Sequence, residues 1–496
     1  MNLLHSLIDA AAQRWPDRIA VSTKITSYTH QDLAEASWAV ANWLQYLGLH
    51  RGQRLVIVGP TDAAIPVVVY AASRLGITFC LLHEQTKGEA LAYILDDAEP
   101  ALLIAAEEEA LELGRHRGIS AVSFQALREQ IDAPSAKSAP MATDATISVD
   151  PLCLIYTSGT TSRPKAVVST HDQALFSIHA IQKMLAYTPD DVVYCPLPLS
   201  FDYGMYQLFL GAVSGCHIRL GLPAEVGPSI LSNLLEVNAT VLASVPAIAE
   251  NLARLLRRST AMTPSTLRLL TNTGAAMPSE PLATLRKAIP GLRVQLMFGL
   301  TECKRAAIMP PDGDLERPGS CGIALPGTEI FTIDKDGNRA PPGTIGELVV
   351  RGPNVMAGYW RCPELTALRF HRQEGLFPQL RTGDQGWLDG DGYVFFIGRD
   401  DEIYKERGFR VSTIEVETAA RKLAGVETAV VLPPNGGKPA LLVVVGKLNA
   451  EDVKLMLRDE IEEFKIPATC VVLDELPLTN NGKVNRKALR EVVTDV

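Results

Sequence analysis

The chain has 496 residues, which suggests about three or four structural units at roughly 100–200 residues per domain. Hydrophobic residues make up 47% and charged residues 21% of the sequence, so the chain can bury a large core and intrinsic disorder is excluded. The 47 Lys and Arg residues against 56 Asp and Glu residues give a net charge of −9. Because nucleic-acid binding depends on concentrated positive charge, we expect no nucleic-acid partner.

The N-terminal segment has no basic region and meets its first charge at Asp9, so we predict no signal peptide. The most apolar long stretch, residues 63–82, contains Pro66 and Arg74 and is better explained by buried strands and helices than by a membrane span. None of the eight cysteines stands in a metal-ligand spacing. We therefore expect a cytoplasmic protein with no membrane partner.

Short β-branched runs alternate with helical patterns through the first two thirds of the chain. The runs predicted as buried strands are Leu55–Val58, Thr78–Leu82, Ala101–Ala105, Leu152–Tyr156, Val192–Cys195, Thr240–Ala243 and Arg293–Met297. The segments 232–237 and 278–288 between such runs are typical of helices. Strands alternating with helices indicate the α/β class with mostly parallel sheets. A polar segment with two prolines, residues 131–150, is predicted to be a linker.

A β-rich region begins near Ile330, with strands predicted at 347–351 and 392–397 and a tight hairpin turn at 389–392. After a highly charged stretch, the last 90 or so residues have a pattern of their own. Its predicted elements are helices at 413–423 and 451–464 and strands at 429–432, 440–445 and 469–473. This pattern indicates a small α+β domain, and the charged joint before it is a candidate hinge.

The strongest local signal is the segment Tyr156–Lys165, in which hydroxyl residues and a glycine follow a predicted strand and a lysine closes the run. Backbone N–H groups and hydroxyls in such a loop can surround an anion, and the lysine can neutralise it. The segment does not match the GxxxxGK[ST] phosphate loop, because Ala166 and Val167 follow the lysine. Taken alone, a solvated Ser/Thr turn is an equally good explanation.

This segment is followed by other polar motifs in a fixed order. These are QLMFGLTE (295–302), RTGD (381–384), GRDD (398–401) and TNNGK (479–483), with SYTHQDL (27–33) preceding all of them. In order and spacing they resemble the superfamily of AMP-forming adenylating enzymes, which includes acyl- and aryl-CoA synthetases, amino-acid adenylation domains and luciferases. The resemblance covers nearly the whole chain.

The resemblance implies a large N-terminal domain of layered α/β subdomains with a β-rich subdomain, residues 1–398, and a small mobile α+β C-terminal domain, residues 402–496. A hinge at 399–401 would join them. It also implies ATP and Mg²⁺ as cofactors and two half-reactions. A carboxylate and ATP first give an acyl-adenylate and pyrophosphate, and a pantetheine thiol then takes the acyl group. The first step needs an in-line nucleophile and cations that offset the triphosphate charge.

By motif match, the residues that would bind ATP are Thr157, Ser158, Gly159, Thr160, Thr161, Lys165, Asp384 and Arg399. Thr301 would contact the α-phosphate and Glu302 would hold Mg²⁺, which prefers carboxylate oxygen. Lys483 would be the catalytic lysine of the small domain, and Asp401 would be the hinge residue. Asp384 would accept hydrogen bonds from the ribose, supported by Arg399.

The sequence departs from the family pattern at several places. Ser162 and Ala166 replace residues that are often glycine, and Asn485 stands where Asp is common. Glu302 is followed after one residue by the basic pair Lys304 and Arg305. This pair could contact phosphates, a carrier protein or a substrate side chain, and a structural salt bridge is an equally good explanation.

The substrate class is indicated by the segment PLSFDYGMYQ, residues 198–207. In amino-acid adenylation domains an Asp after Phe at this place receives the α-ammonium group, so Asp202 favours an amino-acid substrate; the alternative role for Asp202 is a helix N-cap. The resemblance predicts that the pocket is also lined by Tyr203, Tyr206, Ser244, Thr271, Thr273, Met297, Arg305 and Ala306. The two tyrosines and Met297 suggest a small or medium side chain, with proline as one candidate.

The predicted function is activation of an amino acid and its transfer to a phosphopantetheinylated carrier protein. Because no carrier segment follows the two domains in this sequence, we expect the acceptor to be a separate molecule. The alternative is an AMP-forming acyl- or aryl-CoA ligase that uses free CoA, and residues 464–467 fit both. A catalytically inactive nucleotide binder is a third possibility, disfavoured by the presence of Glu302, Asp384 and Lys483.

Overall fold

The structure is a computed structural model. It describes residues 3–132, 146–157, 164–258, 263–372, 378–399, 403–406, 409–435, 438–461, 463–479 and 484–493.

The helices of the described residues alternate with strands over most of the chain. They are α1 (His5–Arg14), α2 (His30–Tyr46), α3 (Ala64–Leu75), α4 (Gly88–Ala98), α5 (Glu108–His116), α6 (Phe124–Asp132), α7 (His171–Leu185), α8 (Asp202–Ser214), α9 (Ile230–Glu236), α10 (Pro246–Arg258), α11 (Ser279–Ala288), α12 (Gly313–Glu316), α13 (Pro363–Arg369), α14 (Thr413–Lys422), α15 (Ala450–Leu457) and α16 (Arg486–Val492). Short 3₁₀ helices occur at Pro223–Val226 and Glu463–Lys465.

The strands are short, as expected for buried parallel sheets. They are β1 (Ile19–Ser22), β2 (Ser27–Thr29), β3 (Arg54–Gly59), β4 (Thr78–His83), β5 (Leu102–Ala105), β6 (Ser120–Ser123), β7 (Pro151–Thr157), β8 (Lys165–Thr170), β9 (Val192–Cys195), β10 (His217–Leu220), β11 (Val241–Ser244), β12 (Leu269–Asn272), β13 (Arg293–Phe298), β14 (Ala307–Ile308), β15 (Ile323–Ala324), β16 (Glu329–Ile333), β17 (Gly346–Arg351), β18 (Gly358–Tyr359), β19 (Phe370–His371), β20 (Gln379–Leu388), β21 (Val394–Arg399), β22 (Ile403–Glu406), β23 (Phe409–Ser412), β24 (Val426–Leu432), β25 (Leu441–Gly446) and β26 (Thr469–Leu473).

The chain divides into two compact units. The first comprises Met1–Ile330 and Val350–Leu380, and the second comprises Phe331–Val349 and Arg381–Val496. The domain limits predicted from the sequence, with a hinge at 399–401, stay a prediction, and residues 400 and 401 lie outside the described part of the chain.

Two large sheets form the first unit. One has nine strands in the order β15-β14-β13-β12-β11-β9-β10-β1-β2, and its six central strands are parallel. The other has seven strands in the order β18-β8-β7-β4-β3-β5-β6, with parallel pairing from β7 to β6. One continuous hydrophobic core reaches residues of both sheets, for example Ile57 on β3 and Leu242 on β11. These sheets confirm the predicted α/β class.

Helix α8 is buried along nearly its whole length: every residue except Val213 is buried. A helix that is apolar on all sides belongs in the interior of a large domain. Gly204 makes this placement possible, because a Cβ atom there would lie 2.4 Å from the Pro198 carbonyl oxygen. The first turn of α8 therefore lies directly against the chain that leads into it.

The second unit contains a three-stranded sheet in the order β24-β25-β26. Its core includes Val416 of α14, Val431 of β24, Val444 of β25 and Val453 of α15. The chain also forms a five-stranded sheet with the path β16-β17-β20-β19, in which β21 pairs with β20. Within the second unit, β22 pairs with β23. The hairpin predicted at 389–392 is present, since the Asp389 N–H donates to the Tyr393 carbonyl at 3.1 Å.

Two predicted boundaries are wrong. The helix predicted at 451–464 ends at Leu457, because the N–H groups of residues 458–460 donate to carbonyls three residues back and tighten the chain into turns. The predicted linker 131–150 begins too early, since α6 continues to Asp132 and Ile131 is buried in the core. Residues 133–145 of that segment lie outside the described residues.

None of the helices that the described residues form is both long and apolar enough to cross a membrane.

Two histidines, the half-buried His5 and the buried His171, join α1 to its neighbours in the first unit. The His5 Nδ1 lies 3.0 Å from the Ser73 hydroxyl of α3, and the Leu4 N–H donates to His171 Nδ1 at 3.1 Å. Burial, assisted by the Arg74 guanidinium, lowers the pKa of His5 to about 4. Burial likewise lowers the pKa of His171 to about 4, with a further contribution from His5. Both rings are thus neutral in the folded protein at pH 7.

We expect acid to destabilise this contact. The unfolded chain would bind protons at these histidines below about pH 6.5, whereas the folded chain would not do so until about pH 4. Their contribution to stability is complete above pH 6.5 and is lost as the pH falls towards 4. The thermal midpoint, followed by circular dichroism between pH 7 and 4.5, should fall less steeply in His171→Asn than in wild type. His116→Asn, at an exposed position, is the control, and an unchanged slope in His171→Asn would contradict the assignment.

Candidate active site

The two ends of the predicted phosphate loop lie side by side. Thr157 ends β7 and Lys165 begins β8, and these two residues are paired in the antiparallel ladder. The Thr157 hydroxyl donates to the Lys165 carbonyl at 3.4 Å. Four predicted phosphate ligands, Ser158, Gly159, Thr160 and Thr161, lie outside the described residues, so their role stays a prediction.

A tight turn follows β13 and carries Thr301, Glu302, Lys304 and Arg305. Gly299 is required at its start, because a Cβ atom there would lie 2.1 Å from the Lys304 carbonyl oxygen. Lys304 has a φ of +60°, a left-handed conformation that is unfavourable for a residue with a side chain. Such strain is retained only where the surroundings enforce it, and it often marks a functional site.

On one side of this turn, Lys165, Tyr359 and Glu302 form a chain of hydrogen bonds. The Lys165 ammonium donates to the Tyr359 hydroxyl at 3.3 Å and lies 4.3 Å from the centre of its ring. The Tyr359 hydroxyl donates to Glu302 Oε1 at 2.7 Å, the short distance of a hydrogen bond to a charged acceptor. The structure thus brings together two of the residues predicted to contact phosphates and metal.

Sequence reasoning missed Tyr359 and also Asn354. The Asn354 side-chain amide donates to the carbonyls of Cys303 at 3.3 Å and Arg305 at 3.0 Å. Both residues are about 50 positions away from the turn that they contact, so no local spacing could have revealed them. The only sequence signal is the segment GPNVMAGYW, residues 352–360, in which residues typical of turns precede two aromatic residues.

On the other side of the turn lies a group of charged residues, Asp202, Lys304 and Arg305, which we call the charged cluster. Arg305 Nη1 and Asp202 Oδ2 are 3.9 Å apart. Asp202 is 4% exposed, Lys304 1% and Arg305 5%. All three side chains are buried, and among the described residues Arg305 is paired with Asp202 whereas no carboxylate lies within 4 Å of the Lys304 ammonium.

The alternative role of Asp202 as a helix N-cap is wrong. The N-cap residue of α8 is Phe201, and no side-chain hydrogen bond caps this end of the helix. Asp202 stands in the first turn, where the helix dipole favours a carboxylate. No described residue donates a hydrogen bond to its carboxylate, so this buried group has an ion partner but unused acceptor capacity.

The two basic residues lie against the predicted tyrosines. The Arg305 guanidinium is 4.6 Å from the centre of the Tyr203 ring, and the Lys304 ammonium is 5.8 Å from that of Tyr206. The Lys304 ammonium also donates to the Thr301 carbonyl at 3.2 Å. Among the residues that the structure describes, no carboxylate lies within 4 Å of it. Lys304 is thus a buried cation without an acidic partner in the described part of the protein.

The remaining predicted pocket residues are buried at the ends of β11, β12 and β13. The Tyr203 hydroxyl lies 2.5 Å from that of Thr271, and the Ser244 hydroxyl donates to the Thr271 carbonyl at 3.1 Å. The Thr273 hydroxyl donates to the Met297 carbonyl at 3.2 Å. Burial raises the pKa of Tyr203 well above its ordinary value, so its hydroxyl stays protonated. Ala306, the residue that follows Arg305, is fully buried.

In the second unit, Asp384 and Arg399 face each other across a strand pair. They are partners in the register of β20 and β21, and Arg399 Nε lies 3.8 Å from Asp384 Oδ1. Asp384 is 3% exposed, and its N–H donates to the Thr382 hydroxyl at 3.0 Å. The structure thus brings these two predicted residues together, and their roles in ribose binding stay a prediction. Asp401 and Lys483 lie outside the described residues, and their roles stay predictions.

The chain is similar to proteins of known activity. It is 27% identical over 500 residues to a dimodular nonribosomal peptide synthase of Bacillus subtilis (strain 168); the match covers 98% of this chain and 21% of the relative. The chain thus spans about a fifth of that protein's length.

Two solved structures show the same similarity. VinN in complex with L-aspartate has a TM-score of 0.74 and 36% identity, and the match covers 80% of this chain and 98% of VinN. O-succinylbenzoate coenzyme A synthetase (MenE) from Bacillus subtilis, in complex with AMP, has a TM-score of 0.85 and 25% identity, and the match covers 98% of each chain.

Residues 8–360 match the AMP-binding enzyme family, and residues 415–483 match the C-terminal domain of AMP-binding enzymes. The predicted resemblance to AMP-forming adenylating enzymes is confirmed, and the chain belongs to the AMP-binding enzyme family.

Proposed function

We propose that this protein activates an amino acid with a second carboxylate, of the aspartate type, as an acyl-adenylate. ATP is consumed and pyrophosphate released, and the acyl group then passes to the phosphopantetheine thiol of a separate carrier protein. The observation that carries this proposal is the charged cluster, in which both basic side chains are buried and the described residues supply one acid, Asp202, which pairs with Arg305.

Asp202 is suited to bind the substrate ammonium group. Its carboxylate is buried, lies at the start of α8 and receives no hydrogen bond from the described residues. An ammonium group brings three N–H donors. Because the 3.9 Å separation from Arg305 exceeds the 2.7–2.9 Å or so of a hydrogen-bonded ion pair, a substrate ammonium can supply the closer partner.

Lys304 and Arg305 are suited to bind the carboxylate that does not react. A buried charge is costly unless it is paired, and among the described residues Lys304 has no carboxylate within 4 Å. A substrate with one ammonium and one further carboxylate adds a partner for each sign. A monocarboxylic acid without an ammonium group would leave Asp202 without a closer cation, and a neutral amino acid would leave Lys304 without an anion.

The relatives support both parts of the proposal. VinN, at 36% identity, was solved with L-aspartate bound, and the dimodular relative is a nonribosomal peptide synthase. Proline, the candidate named from the sequence, would use Asp202 but would offer nothing to the two cations.

The turn and loop on the other side of the cluster are proposed to bind ATP. Lys165, with the loop that precedes it, would offset phosphate charge, Thr301 would contact the α-phosphate and Glu302 would hold Mg²⁺. In the second unit, Asp384 supported by Arg399 would bind the ribose hydroxyls. Lys483 and Asp401 keep their predicted roles as catalytic lysine and hinge.

The Glu302 carboxylate is suited to be a ligand of Mg²⁺. Mg²⁺ is usually held by one or two carboxylates together with substrate phosphates and water. Within the described residues there is no group of three or more His, Cys, Asp or Glu side chains that could hold a metal. A single carboxylate, Glu302, of which one oxygen accepts from Tyr359, matches this mode of binding. The ion would supply charge neutralisation for the triphosphate when bound.

A second candidate function is an AMP-forming CoA ligase. It is favoured by the similarity to O-succinylbenzoate coenzyme A synthetase over 98% of both chains. The two functions differ in the acceptor, so thioester formation should be measured with free CoA and with phosphopantetheinylated carrier proteins. CoA as the better acceptor would replace the carrier-protein proposal.

Amino-acid-dependent ATP–pyrophosphate exchange tests the substrate class. We expect L-aspartate or a close homologue to be preferred over succinate, which lacks the ammonium group, and over alanine and β-alanine, which each lack one carboxylate. Each missing partner should lower kcat/KM by about two to three orders of magnitude, the effect of breaking a buried ion pair. The proposal would be overturned if a simple carboxylic acid supports exchange and none of the amino acids does.

Asp202→Asn should remove the discrimination against succinate while leaving the KM for ATP unchanged. The variant keeps the shape of the side chain but offers the ammonium no charge. Asp172→Asn is a matched control, because Asp172 also stands in the first turn of a helix, α7, but is exposed. If the ratio of aspartate to succinate activity is the same in Asp202→Asn as in wild type, Asp202 does not bind the ammonium group.

Lys304→Met should act on the opposite part of the substrate. Methionine fills similar space but carries no charge, so the preference for aspartate over alanine and β-alanine should narrow by at least about tenfold. The discrimination against succinate should persist, since Asp202 is intact. Lys287→Met, at an exposed position on α11, serves as the control. A uniform loss with all acids would indicate that Lys304 is only structural.

A further inference from the structure

Residues 354–359 form a short bridge that contacts both sides of the turn after β13. At one end, the Asn354 amide donates to the carbonyls of Cys303 and Arg305. At the other end, the Tyr359 hydroxyl donates to the Glu302 carboxylate. Between them the Met356 N–H donates to the Glu302 carbonyl at 2.8 Å. We call these residues the 354–359 bridge.

The bridge is itself fixed to the strand that begins at Lys165. Gly358 and Tyr359 form β18, which pairs with Val168 and Val167 of β8. The Ala357 N–H donates to the Val168 carbonyl at 3.0 Å, and the Trp360 N–H donates to the Ala166 carbonyl at 2.9 Å. Movement of the turn relative to the phosphate-loop strand is therefore restrained through this segment.

The Tyr359 end acts on a single carboxylate oxygen. Its hydroxyl accepts from Lys165 and donates to Glu302 Oε1, so the direction of its O–H bond is set by two charged groups. Holding one oxygen of a carboxylate aims the other, which is how a neighbouring donor orients a metal ligand. The phenol is buried, with 6% of its surface exposed, so water does not compete freely for this bond.

The Asn354 end acts on the backbone of the basic pair. Asn354 is fully buried, and its amide donates to the carbonyls of the residues immediately before and after Lys304. Lys304 is held in its left-handed conformation, with φ of +60°. Two hydrogen bonds to the flanking carbonyls are a physical reason why this strained turn persists.

We propose that the 354–359 bridge is a two-ended positioning device, in which Tyr359 sets the Glu302 carboxylate for metal and nucleotide while Asn354 sets Lys304 and Arg305 for the acid. The inference rests on the proposed function, because it assigns each end to one substrate. Tyr359 and Asn354 are positioning residues, since each acts through another residue.

Tyr359→Phe tests the first end, because it keeps the ring and removes the hydroxyl. The half-saturating free Mg²⁺ concentration in pyrophosphate exchange should rise roughly 10- to 100-fold, the usual effect of losing a group that orients a metal ligand. Mn²⁺ binding to the protein with α,β-methylene-ATP, followed by electron paramagnetic resonance, should weaken equally without any turnover. The KM for the acid should stay as in wild type.

Tyr194→Phe is the matched control. Tyr194 is another buried tyrosine of the first unit whose hydroxyl donates to a carboxylate, that of Glu225, at 3.1 Å. Tyr194→Phe should change neither the half-saturating Mg²⁺ concentration nor the KM for the acid. An equal rise in the Mg²⁺ requirement of both variants would assign the effect to general loosening and overturn the proposal.

Asn354→Ala tests the second end. The KM for the acid should rise about tenfold, while the Mg²⁺ requirement and Mn²⁺ binding stay unchanged. If circular dichroism shows that this variant does not fold, Asn354→Asp, which keeps the shape but cannot donate two hydrogen bonds, takes its place.

The substitution at Tyr359 should thus change only the Mg²⁺ requirement, and the substitution at Asn354 should change only the KM for the acid. Any other result, including no change or equal changes in both constants, overturns the two-ended role. Wild-type protein that binds no Mn²⁺ with the nucleotide analogue would instead contradict the proposed function. The two failures are therefore distinguishable.

Discussion

A carboxylate that is removed from water needs a cation, and the burial of α8 imposes this requirement on Asp202. The helix is buried on all sides except at Val213, so its first residue cannot reach bulk solvent. Arg305 supplies the cation at 3.9 Å, but only because the turn after β13 folds back on itself. That turn requires Gly299, and it places Lys304 in a left-handed conformation. The pairing of this buried acid thus depends on the backbone of the segment that also carries Glu302.

The fold was largely predictable because its elements depend on local patterns. Buried parallel strands appear as continuous β-branched runs, so the predicted run 55–58 lies within β3 and 192–195 coincides with β9. Boundaries were less accurate where the pattern continues past the element. Apolar residues beyond Leu457 favour a longer helix, yet the backbone turns there. Ile131 falls in the predicted linker although it is buried in the core.

The site was predictable only where motifs are contiguous. Asp202, Glu302 and Lys165 follow from motif order, and the structure places Glu302 and Lys165 on the same tyrosine. Tyr359 and Asn354 could not be found in this way, because a hydrogen bond between residues about 50 positions apart leaves no spacing to read. The same limit applied to the basic pair. The sequence left open whether Arg305 forms a structural salt bridge, and only its distance from Asp202 and its burial show that it does.

That salt bridge and a substrate-binding role are not exclusive. With 3.9 Å between the charged atoms, Arg305 offsets part of the cost of burying Asp202 without using its acceptor sites in a hydrogen bond. An ammonium group can then bind Asp202 closely, and Arg305 becomes available to an anion on the same substrate. The arrangement also separates tasks along the turn: Glu302 faces Tyr359 and Lys165, whereas Lys304 and Arg305 lie against the tyrosines of α8. Under the proposed function, adjacent residues of this turn serve different partners, so substitution at 304 and 305 would alter the accepted acid while Tyr359 would still hold Glu302.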